Sequence, residues 1–425
     1  MNVLTKTAFQ SSIEIDLPLS KSEGIRALIS CYIVLRSRGA TMMPSKDLLD
    51  ADAPEDLHAI YDGLQALLSG QSDIRLTGSA SVSRFLLSLA AAEARRTVFH
   101  LTDPQLRRRP MGQLVDYLRR CGVSIKMTDD RWVVDARTST VPRETEVDAR
   151  VWESSQFISA IIYFSIAGNY PLTIRRQQSD PSSRYIDLTI ECLRQIGVDL
   201  TWEADRIRFE PHEQPGLAES KSYVFQLPAD YTSASYWLEL QTLHPEIQNL
   251  TLNGLNPDSP HPDARLFRFF SSFLELDEVM RVSHRRESSP AEPLFFDLSQ
   301  NPDLFPTLFA TVIGLEKEAT FTGLSSLAYK ESDRLGASLS IAQDLGWSSD
   351  AFINVTPYGF TYTGVPRETK PRVVTLGHRG DHRLAMAFGV LATILDETCV
   401  EILDEVMVTA RSYPHFFSDL CRQAR

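Results

Sequence analysis

A helix followed by a hairpin recurs along this 425-residue chain and restricts the folds that it can adopt. Apolar residues with helical spacing over 114–121 lead to Gly122, and two short apolar-polar segments follow at 123–126 and 131–135. A glycine is the common residue just past a helix end, so a helix is predicted to stop there. The two segments then predict a pair of strands joined by a turn at Asp129-Asp130.

The same order occurs twice more. Gly197 and Gly346 each end a run with helical spacing, and each precedes a predicted hairpin. The predicted strands cover residues 198–202 and 206–209 in one case, and 352–355 and 359–362 in the other. The glycines lie 75 residues (197 − 122) and 149 residues (346 − 197) apart, or one and two steps of about 75. This repeat predicts an α/β chain of internal copies, each packing a helix on a sheet. We place the crossover between two lobes at Leu227-Pro228-Ala229-Asp230.

Composition excludes several classes of partner. Hydrophobic residues make up 43% of the chain, and the net charge is −12. An acidic chain is a poor partner for nucleic acid and for anionic membrane. The longest apolar stretches, near 157–167 and 384–395, are too short to span a bilayer, and the N-terminal residues show no signal-peptide pattern. We therefore expect a cytoplasmic protein that acts on small molecules.

The five cysteines are scattered and show no CxxC pairing or zinc-ligand spacing. We expect reduced, buried and unreactive thiols in a reducing compartment. They are Cys31, Cys121, Cys192, Cys399 and Cys421.

A dense charge cluster, Lys330-Glu331-Ser332-Asp333-Arg334, follows an apolar, turn-rich stretch. On a helix, Lys330 and Arg334 would share a face and Glu331 would border it. Two adjacent cations suit an anion with several oxygens, and a neighbouring carboxylate could move a proton on that anion. An ordinary salt-bridged helix surface would give the same pattern, so the residues alone leave both interpretations open.

A second candidate anion site starts at Ser20, where Ser20 and Glu23 have the spacing of a capping box. The free N–H groups and the positive end of the helix dipole attract anions, and Lys21 and Arg26 would add charge. An ordinary capped helix is again the alternative.

Further segments combine hydroxyl groups, acids or arginines with a following apolar helix, and each alone is typical of a cap or a surface. They are Thr77–Arg84, Arg107–Pro110, Trp152–Gln156, Ser182–Asp187, Asp303, Gly380–Arg383 and Thr409–Ser412.

Taken in order, these segments resemble one family. The succession SKSxxxR, GxAxxxR, RP, SSQ, SxxYID, PD, KExDR, DHR and TA(K/R)(S/T)(F/Y)P is similar to that of 5-enolpyruvylshikimate-3-phosphate (EPSP) synthases, the 3-phosphoshikimate 1-carboxyvinyltransferases. The resemblance runs from Pro18 to Pro414, nearly the whole chain.

The resemblance implies an α/β fold of two lobes, an inside-out α/β barrel in which each lobe holds three βαβαββ repeats, with the active site in the cleft between them. It implies an N-terminal lobe at 16–227 on the shikimate 3-phosphate side, and a second lobe of 1–15 plus 228–425 on the phosphoenolpyruvate side. The implied reaction is enolpyruvyl transfer to the 5-hydroxyl of shikimate 3-phosphate through a tetrahedral intermediate. It belongs to aromatic amino-acid biosynthesis. We expect a monomeric enzyme that needs no metal and no organic cofactor.

The resemblance also implies residue roles. Asp303 accepts the proton of the 5-hydroxyl, Glu331 is the acid and base at the methylene carbon, and Lys21 is the third catalytic residue. The shikimate 3-phosphate ligands would be Lys21, Ser22, Arg26, Ser154, Ser155, Gln156, Ser182, Tyr185, Asp303 and Lys330. The phosphoenolpyruvate ligands would be Lys21, Ala80, Arg109, Gln156, Arg334, Arg383 and Arg411. A structural role fits Arg84.

The chain departs from the family pattern at several positions. Gly78-Ser79-Ala80-Ser81 replaces the usual Asn-Ala-Gly-Thr, and Arg411 replaces a lysine. Asparagine is usual where Ile25 and Ser326 stand. Ala80 thus adds a methyl group to a pocket that also binds the family inhibitor glyphosate. The departures affect the expected substrate affinities more than the reaction.

Two alternatives stay open on the residues. One is a non-catalytic homologue that only binds anions. The other is UDP-N-acetylglucosamine enolpyruvyl transferase, which has a similar fold and a reactive cysteine on a mobile loop. The corresponding segment here, 102–109, has no cysteine.

Overall fold

The computed structural model describes residues 2–49, 52–103, 106–107, 109–137, 146–150, 152, 154–211, 227–277, 281–285, 293–376, 380–403 and 408–425. These residues form two compact units. The inserted unit is Lys21–Leu227, and the flanking unit is Met1–Ser20 with Pro228–Arg425. The resemblance placed the first boundary at residue 16, whereas residues 16–20 group with the flanking unit because Leu19 bridges to Ala229 there.

The described residues up to 211 form ten strands and six helices. They are β1 (Asn2–Leu4), β2 (Ser12–Asp16), α1 (Lys21–Ser37), α2 (Glu55–Leu68), β3 (Asp73–Leu76), α3 (Ala80–Ala91), β4 (Arg96–Leu101), α4 (Gly112–Arg120), β5 (Ser124–Met127), β6 (Arg131–Asp135), β7 (Glu146–Asp148), α5 (Ser155–Gly168), β8 (Leu172–Arg175), α6 (Arg184–Arg194), β9 (Thr201–Glu203) and β10 (Arg206–Phe209).

The remaining described elements belong to the flanking unit. They are α7 (Tyr231–Leu243), β11 (Asn249–Asn253), α8 (Leu266–Phe270), β12 (Leu274–Leu276), β13 (Arg281–His284), β14 (Leu294–Asp297), α9 (Phe305–Gly314), β15 (Ala319–Thr322), α10 (Arg334–Asp344), β16 (Phe352–Thr356), β17 (Gly359–Tyr362), β18 (Arg372–Leu376), α11 (His382–Ala392), β19 (Thr398–Ile402) and α12 (Phe416–Gln423).

Among the described residues, four four-stranded sheets share one topology. In the sheet β3-β4-β6-β5, the first two strands are parallel and a hairpin then adds two antiparallel strands. The sheets β7-β8-β10-β9, β14-β15-β17-β16 and β2-β11-β13-β12 repeat this order. A fifth sheet, β1-β19-β18, has three strands, with β18 and β19 parallel. The parallel pairs need crossover connections, and helices supply them. The protein is thus a mixed α/β protein.

The predicted glycine-hairpin units are confirmed. Gly122, Gly197 and Gly346 all have positive φ angles, 84°, 85° and 114°. Glycine adopts this left-handed backbone without steric cost, so it turns the chain from the helix into the hairpin. At Gly346 a Cβ atom would also lie 2.6 Å from a backbone carbonyl oxygen of Glu368. The first strand after Gly197 begins at Thr201, three residues later than predicted.

The thiol prediction is confirmed only in part. Cys31, Cys121 and Cys192 are buried, but Cys399 is half-buried and Cys421 is exposed on helix α12. Burial raises the pKa of Cys31 to about 11, which keeps that thiol protonated and unreactive. Among the described residues, no helix is both long enough and apolar enough to cross a membrane.

The core of the flanking unit contains one isolated carboxyl group. Glu239 on helix α7 is completely buried, and its two oxygens have no hydrogen-bond partner among the described residues. Burial raises the pKa of this group well above its ordinary value. Burial therefore favours the neutral acid over the carboxylate at this position.

We expect Glu239→Met to make the flanking unit more stable at high pH. Because the folded-state pKa is raised, the wild-type chain loses stability as pH rises through that pKa, and methionine removes the loss. Urea unfolding should show a gain of about 1–3 kcal/mol near pH 9 and a smaller one near pH 5. Glu275→Met, on exposed strand β12, should show no such difference between the two pH values. An equal effect of Glu239→Met at both pH values would contradict a buried neutral acid.

Candidate functional site

In the inserted unit, one buried carboxylate joins the starts of two helices. The Nζ atom of Lys21, the first residue of α1, lies 2.5 Å from the Oδ2 atom of Asp56. The Oδ1 atom of Asp56 accepts the N–H of Ser79, which precedes α3, at 2.8 Å. The Asp56 side chain is fully buried. Asp56 therefore fixes both the Lys21 ammonium group and the loop that leads into Ala80.

The Gly78–Ala80 loop fits tightly around Asp56. Gly78 has a φ of 83°, and a Cβ atom there would lie 2.9 Å from the Asp56 Oδ1 atom and 3.0 Å from the Ala59 Cβ atom. The asparagine usual in the family would thus require this loop to move. Ala80 is buried as the first residue of α3.

Arg26 on α1 is buried and points at helix α6. Its guanidinium donates to the Thr189 Oγ1 atom at 2.9 Å, to the Tyr185 carbonyl at 3.1 Å and to the Ser22 carbonyl at 2.9 Å. These bonds fix the group while leaving further N–H donors on its two terminal nitrogens. Ile25, where the family has asparagine, is buried in the hydrophobic core.

The serine-rich start of α5 carries polar side chains that are buried or half-buried. Ser154 caps the helix by accepting the Gln156 N–H at 3.3 Å, and Ser155 is the first helical residue. The Gln156 Oε1 atom accepts a hydrogen bond from Arg84 at 2.5 Å, and Arg84 also stacks 4.5 Å from the centre of the Phe157 ring. Arg84 therefore orients the Gln156 amide.

Two further predicted residues of the inserted unit lie on loops. Ser182 has a left-handed φ of 60°, an uncommon conformation for serine, and it precedes α6. Arg109 is half-buried beside a cavity of about 180 Å³ that Trp132 also lines.

In the flanking unit, Asp303 lies among three cations. Its Oδ1 atom is 2.9 Å from the Lys330 Nζ atom and 2.9 Å from Arg334 Nη1, and its Oδ2 atom is 3.1 Å from Arg383 Nη2. Burial alone would raise the Asp303 pKa, but Arg383, Lys330 and Arg334 outweigh that effect and hold the pKa well below its ordinary range. These three cations thus favour the carboxylate form of Asp303.

Arg334 is the most buried member of this cluster, with no exposed side-chain surface. Besides Asp303, it lies 2.6 Å from the Glu331 Oε2 atom and 3.0 Å from the Asp381 Oδ2 atom. Asp381 also accepts the Ser332 hydroxyl at 3.0 Å and the backbone N–H of Arg383 at 3.1 Å. These bonds connect Glu331, Arg334 and the start of helix α11.

The helical placement of Lys330 and Glu331 is wrong. Helix α10 begins only at Arg334, capped by Asp333, and Lys330 has an extended backbone with φ −81° and ψ −158°. Because these residues precede the helix, Lys330 approaches Asp303 from a turn. The expected closeness of Glu331 and Arg334 is nevertheless present.

Arg411 lies near the C-terminal end of the flanking unit. It is half-buried after Thr409, whose carbonyl accepts the N–H groups of Ser412 and Tyr413 at 3.0 and 2.9 Å. Ser326, another departure, is half-buried in a 3-10 turn before Lys330.

Sequence reasoning missed three residues that hold candidate site residues in place within their own units. They are Asp56, Arg176 and Asp381. Asp381 lies in the DHR segment, so its position could have been noticed. No pattern around Asp56 or Arg176 distinguishes either from a surface charge, since their importance comes from burial. Among the described residues, no His, Cys, Asp and Glu side chains group as metal ligands.

These arrangements suit a particular kind of chemistry. Clustered guanidinium and ammonium groups bind phosphates and carboxylates, and the helix starts at α1, α3 and α5 add N–H donors. Asp303 and Glu331 lie among the cations, where carboxylates can exchange protons with a bound anion. These residues therefore suit the binding of small polyanions and the transfer of protons to and from them.

Comparisons with known proteins specify the family. The family model of EPSP synthase (3-phosphoshikimate 1-carboxyvinyltransferase) matches residues 51–420. A 3-phosphoshikimate 1-carboxyvinyltransferase of Bacteroides fragilis is 28% identical over 99% of this chain and 97% of its own length. One from Pyrococcus abyssi is 30% identical over 84% of this chain and 80% of its own.

Solved structures show the same fold. EPSP synthase from Acinetobacter baumannii superposes with a TM-score of 0.67 at 16% identity, covering 99% of this chain and 98% of the other. The enolpyruvyl transferase NikO from Streptomyces tendae gives 0.67 at 14% identity, covering 100% and 97%.

The chain belongs to the EPSP synthase family. It is an enzyme that transfers the enolpyruvyl group of phosphoenolpyruvate to the 5-hydroxyl of shikimate 3-phosphate, with release of phosphate, in aromatic amino-acid biosynthesis.

We expect Arg334→Met to destabilise the flanking unit by about 3–5 kcal/mol, because it leaves the buried Asp381 carboxylate without its guanidinium partner. Chemical denaturation measures this effect. Arg422→Met is the control: its side chain is 70% exposed beside Asp419, so the loss should stay below about 1 kcal/mol. A loss for Arg334→Met no larger than that control would show that the buried ion pairs contribute little.

Proposed function

We propose that the residues of the inserted unit bind mainly shikimate 3-phosphate, and that those of the flanking unit bind mainly phosphoenolpyruvate and move the protons. The observation that carries this proposal is the position of Asp303, which contacts Lys330, Arg334 and Arg383 together. The Asp303 carboxylate holds three cations close together. An incoming anion that binds there therefore meets several positive charges at once.

The shikimate 3-phosphate ligands follow from the helix starts. Ser154, Ser155 and Gln156 at the start of α5 offer hydroxyl and N–H donors to the 3-phosphate, with Ser182 beside α6 as a further donor. The other polar groups of shikimate 3-phosphate bind to Ser22, Arg26 and Tyr185. Arg26 and Tyr185 are linked through the Tyr185 carbonyl.

Most of the proposed phosphoenolpyruvate ligands are cationic. Arg334 and Arg383 bind its carboxylate and phosphate in forked geometry, and Lys330 shifts toward shikimate 3-phosphate. Lys21, Ala80, Arg109, Gln156 and Arg411 complete the set. Arg411 replaces the usual lysine with a flatter group that still binds an anion.

Substrate binding activates Asp303. Arg383, Lys330 and Arg334 hold the Asp303 pKa low. When substrate anions bind to these cations, each cation interacts less with Asp303. The Asp303 pKa then rises, and the carboxylate becomes a stronger base. Asp303 then accepts the proton of the 5-hydroxyl while that oxygen bonds to carbon 2 of phosphoenolpyruvate.

The remaining steps complete an addition and an elimination. Glu331 donates a proton to the methylene carbon, which becomes a methyl group in a tetrahedral ketal. Loss of a proton from that methyl group and cleavage of the bond to phosphate then restore the double bond. Lys21, released from Asp56, supports the departing charge. No step uses a metal or an organic cofactor.

The architecture is proposed on the same basis. We propose the family's two-lobed inside-out α/β barrel with three βαβαββ repeats per lobe, a monomer, and cytoplasmic localisation. The recurrence of one four-stranded topology in four sheets supports the repeats.

We expect Asp303→Asn to lower kcat by a factor of about 10² to 10⁴, because the amide cannot accept the hydroxyl proton. Phosphate release with both substrates measures kcat, and calorimetric titration with shikimate 3-phosphate should show affinity within a few-fold of wild type. Asp297→Asn, an exposed aspartate at the end of β14, is the matched control and should leave kcat unchanged. Full activity of Asp303→Asn would refute its role as the base. No phosphate release by the wild-type protein would favour the non-catalytic homologue.

We expect Ala80→Gly to increase glyphosate sensitivity by about ten- to a hundredfold. The Ala80 methyl group should crowd the longer inhibitor more than phosphoenolpyruvate, and overpacking of this kind costs about 1–3 kcal/mol. Inhibition constants measured against phosphoenolpyruvate test this. Ala91→Gly at the other end of α3 should weaken the helix without changing sensitivity. Tight inhibition of the wild-type protein would contradict the crowding.

A further inference from the structure

Arg176 is a buried arginine that no step of the proposed reaction uses. It follows strand β8, and only 2% of its surface is exposed. The Nη1 atom donates to the carbonyl oxygens of Ala149 at 2.8 Å and Trp152 at 3.2 Å. The Nη2 atom donates to the Pro181 carbonyl at 2.9 Å, and Nε lies 3.2 Å from the Asp180 Oδ2 atom.

The carbonyl acceptors belong to two separate loops. Trp152 lies two residues before Ser154, and Pro181 directly precedes Ser182. One guanidinium group thus bonds to both loops that carry the proposed phosphate-binding serines.

The loop that carries Ser182 requires stabilising contacts. Ser182 has a left-handed backbone that costs free energy for a residue other than glycine. Neighbouring bonds support the loop: the Ser183 hydroxyl donates to the Gln177 carbonyl at 3.0 Å, and the Asp180 carboxylate accepts the Gln177 N–H at 3.1 Å. The Arg176 bond to Pro181 fixes the peptide group immediately before Ser182.

Only arginine can make this connection. Its planar guanidinium presents five N–H donors in fixed directions, and this structure uses them toward three carbonyl acceptors, with the Asp180 carboxylate in ion-pair range of Nε. A lysine has one nitrogen on a flexible stem and cannot reach both loops with the same geometry.

We propose that Arg176 is a positioning residue that sets the distance between Ser182 and the Ser154-Ser155 pair, and thereby the affinity for the phosphate group of shikimate 3-phosphate. This inference rests on the proposed function, which assigns that phosphate to these serines. Arg176 itself need not touch the substrate.

The test compares the dissociation constants of shikimate 3-phosphate and of unphosphorylated shikimate, measured by calorimetric titration. Arg176→Lys should weaken shikimate 3-phosphate binding by about ten- to a hundredfold and shikimate binding less than threefold. The KM for phosphoenolpyruvate should change less than threefold. A merely structural loss would lower both affinities equally or leave both unchanged.

Two matched controls separate this effect from general destabilisation. Arg175→Lys alters the preceding residue, whose partly exposed side chain pairs with Glu146. Arg36→Lys alters another arginine of the inserted unit, one that bonds to the Ala92 and Ala167 carbonyls at the ends of α3 and α5. Both variants should retain the wild-type ratio of the two dissociation constants.

Asp180→Asn provides a milder variant if Arg176→Lys does not fold, because it weakens the Nε contact and keeps the carbonyl bonds. It should shift the same ratio in the same direction by a smaller factor, and an unchanged ratio in a folded Asp180→Asn protein would count against the proposal.

Ser155→Ala and Ser182→Ala distinguish the assignment of the phosphate to these serines from the positioning role of Arg176. If neither weakens shikimate 3-phosphate binding, the assignment of the phosphate to these serines is wrong. If both weaken it while folded Arg176→Lys does not, the serines bind the phosphate and the positioning role of Arg176 is overturned.

Discussion

The buried Arg334 guanidinium is the interaction on which the candidate site of the flanking unit depends. It contacts Asp303, Glu331 and Asp381, which come from three separate turns of the chain. Buried charges are tolerated when they are paired and hydrogen-bonded, and Arg334 satisfies that condition through three carboxylates. The cluster therefore specifies how the turn before α9, the turn before α10 and the start of α11 meet.

The same arrangement, a cation held by a buried carboxylate, occurs in the inserted unit. Asp56 holds Lys21 there as Asp303 holds Lys330, Arg334 and Arg383 in the flanking unit. In both cases the cation is preorganised without substrate, because an acid of the protein offsets its charge. Under the proposed function, an incoming anion competes with that acid, so part of the binding free energy is used to change the carboxylate's surroundings.

The parts of the fold that depend on local sequence could be predicted. Glycines at helix ends and alternating strands gave the hairpins after Gly122, Gly197 and Gly346, since these features depend on backbone conformation close in sequence. The helix start at Arg334 could not be read from charge spacing, because Asp333 caps the helix and ends the pattern before it. Asp56 and Arg176 were missed for another reason: their partners are distant in sequence, and burial becomes visible only in three dimensions. The exposed Cys421 shows the same limit, since its exposure depends on which face of α12 packs on the core.

Because residues 21–227 are inserted into the flanking unit, its first strands are synthesised long before their partner strands. Strand β2 pairs with β11, as in Asp16 with Asn253, and strand β1 pairs with β19, as in Asn2 with Ile402. At a synthesis rate of roughly 5–20 residues per second, the first strand waits about 20–80 seconds for its partner. The inserted unit has all of its described strand partners within its own segment, so it can fold while the ribosome is still completing the rest. Until synthesis ends, β1 has an unpaired edge, which makes the nascent flanking unit the part most dependent on protection from aggregation.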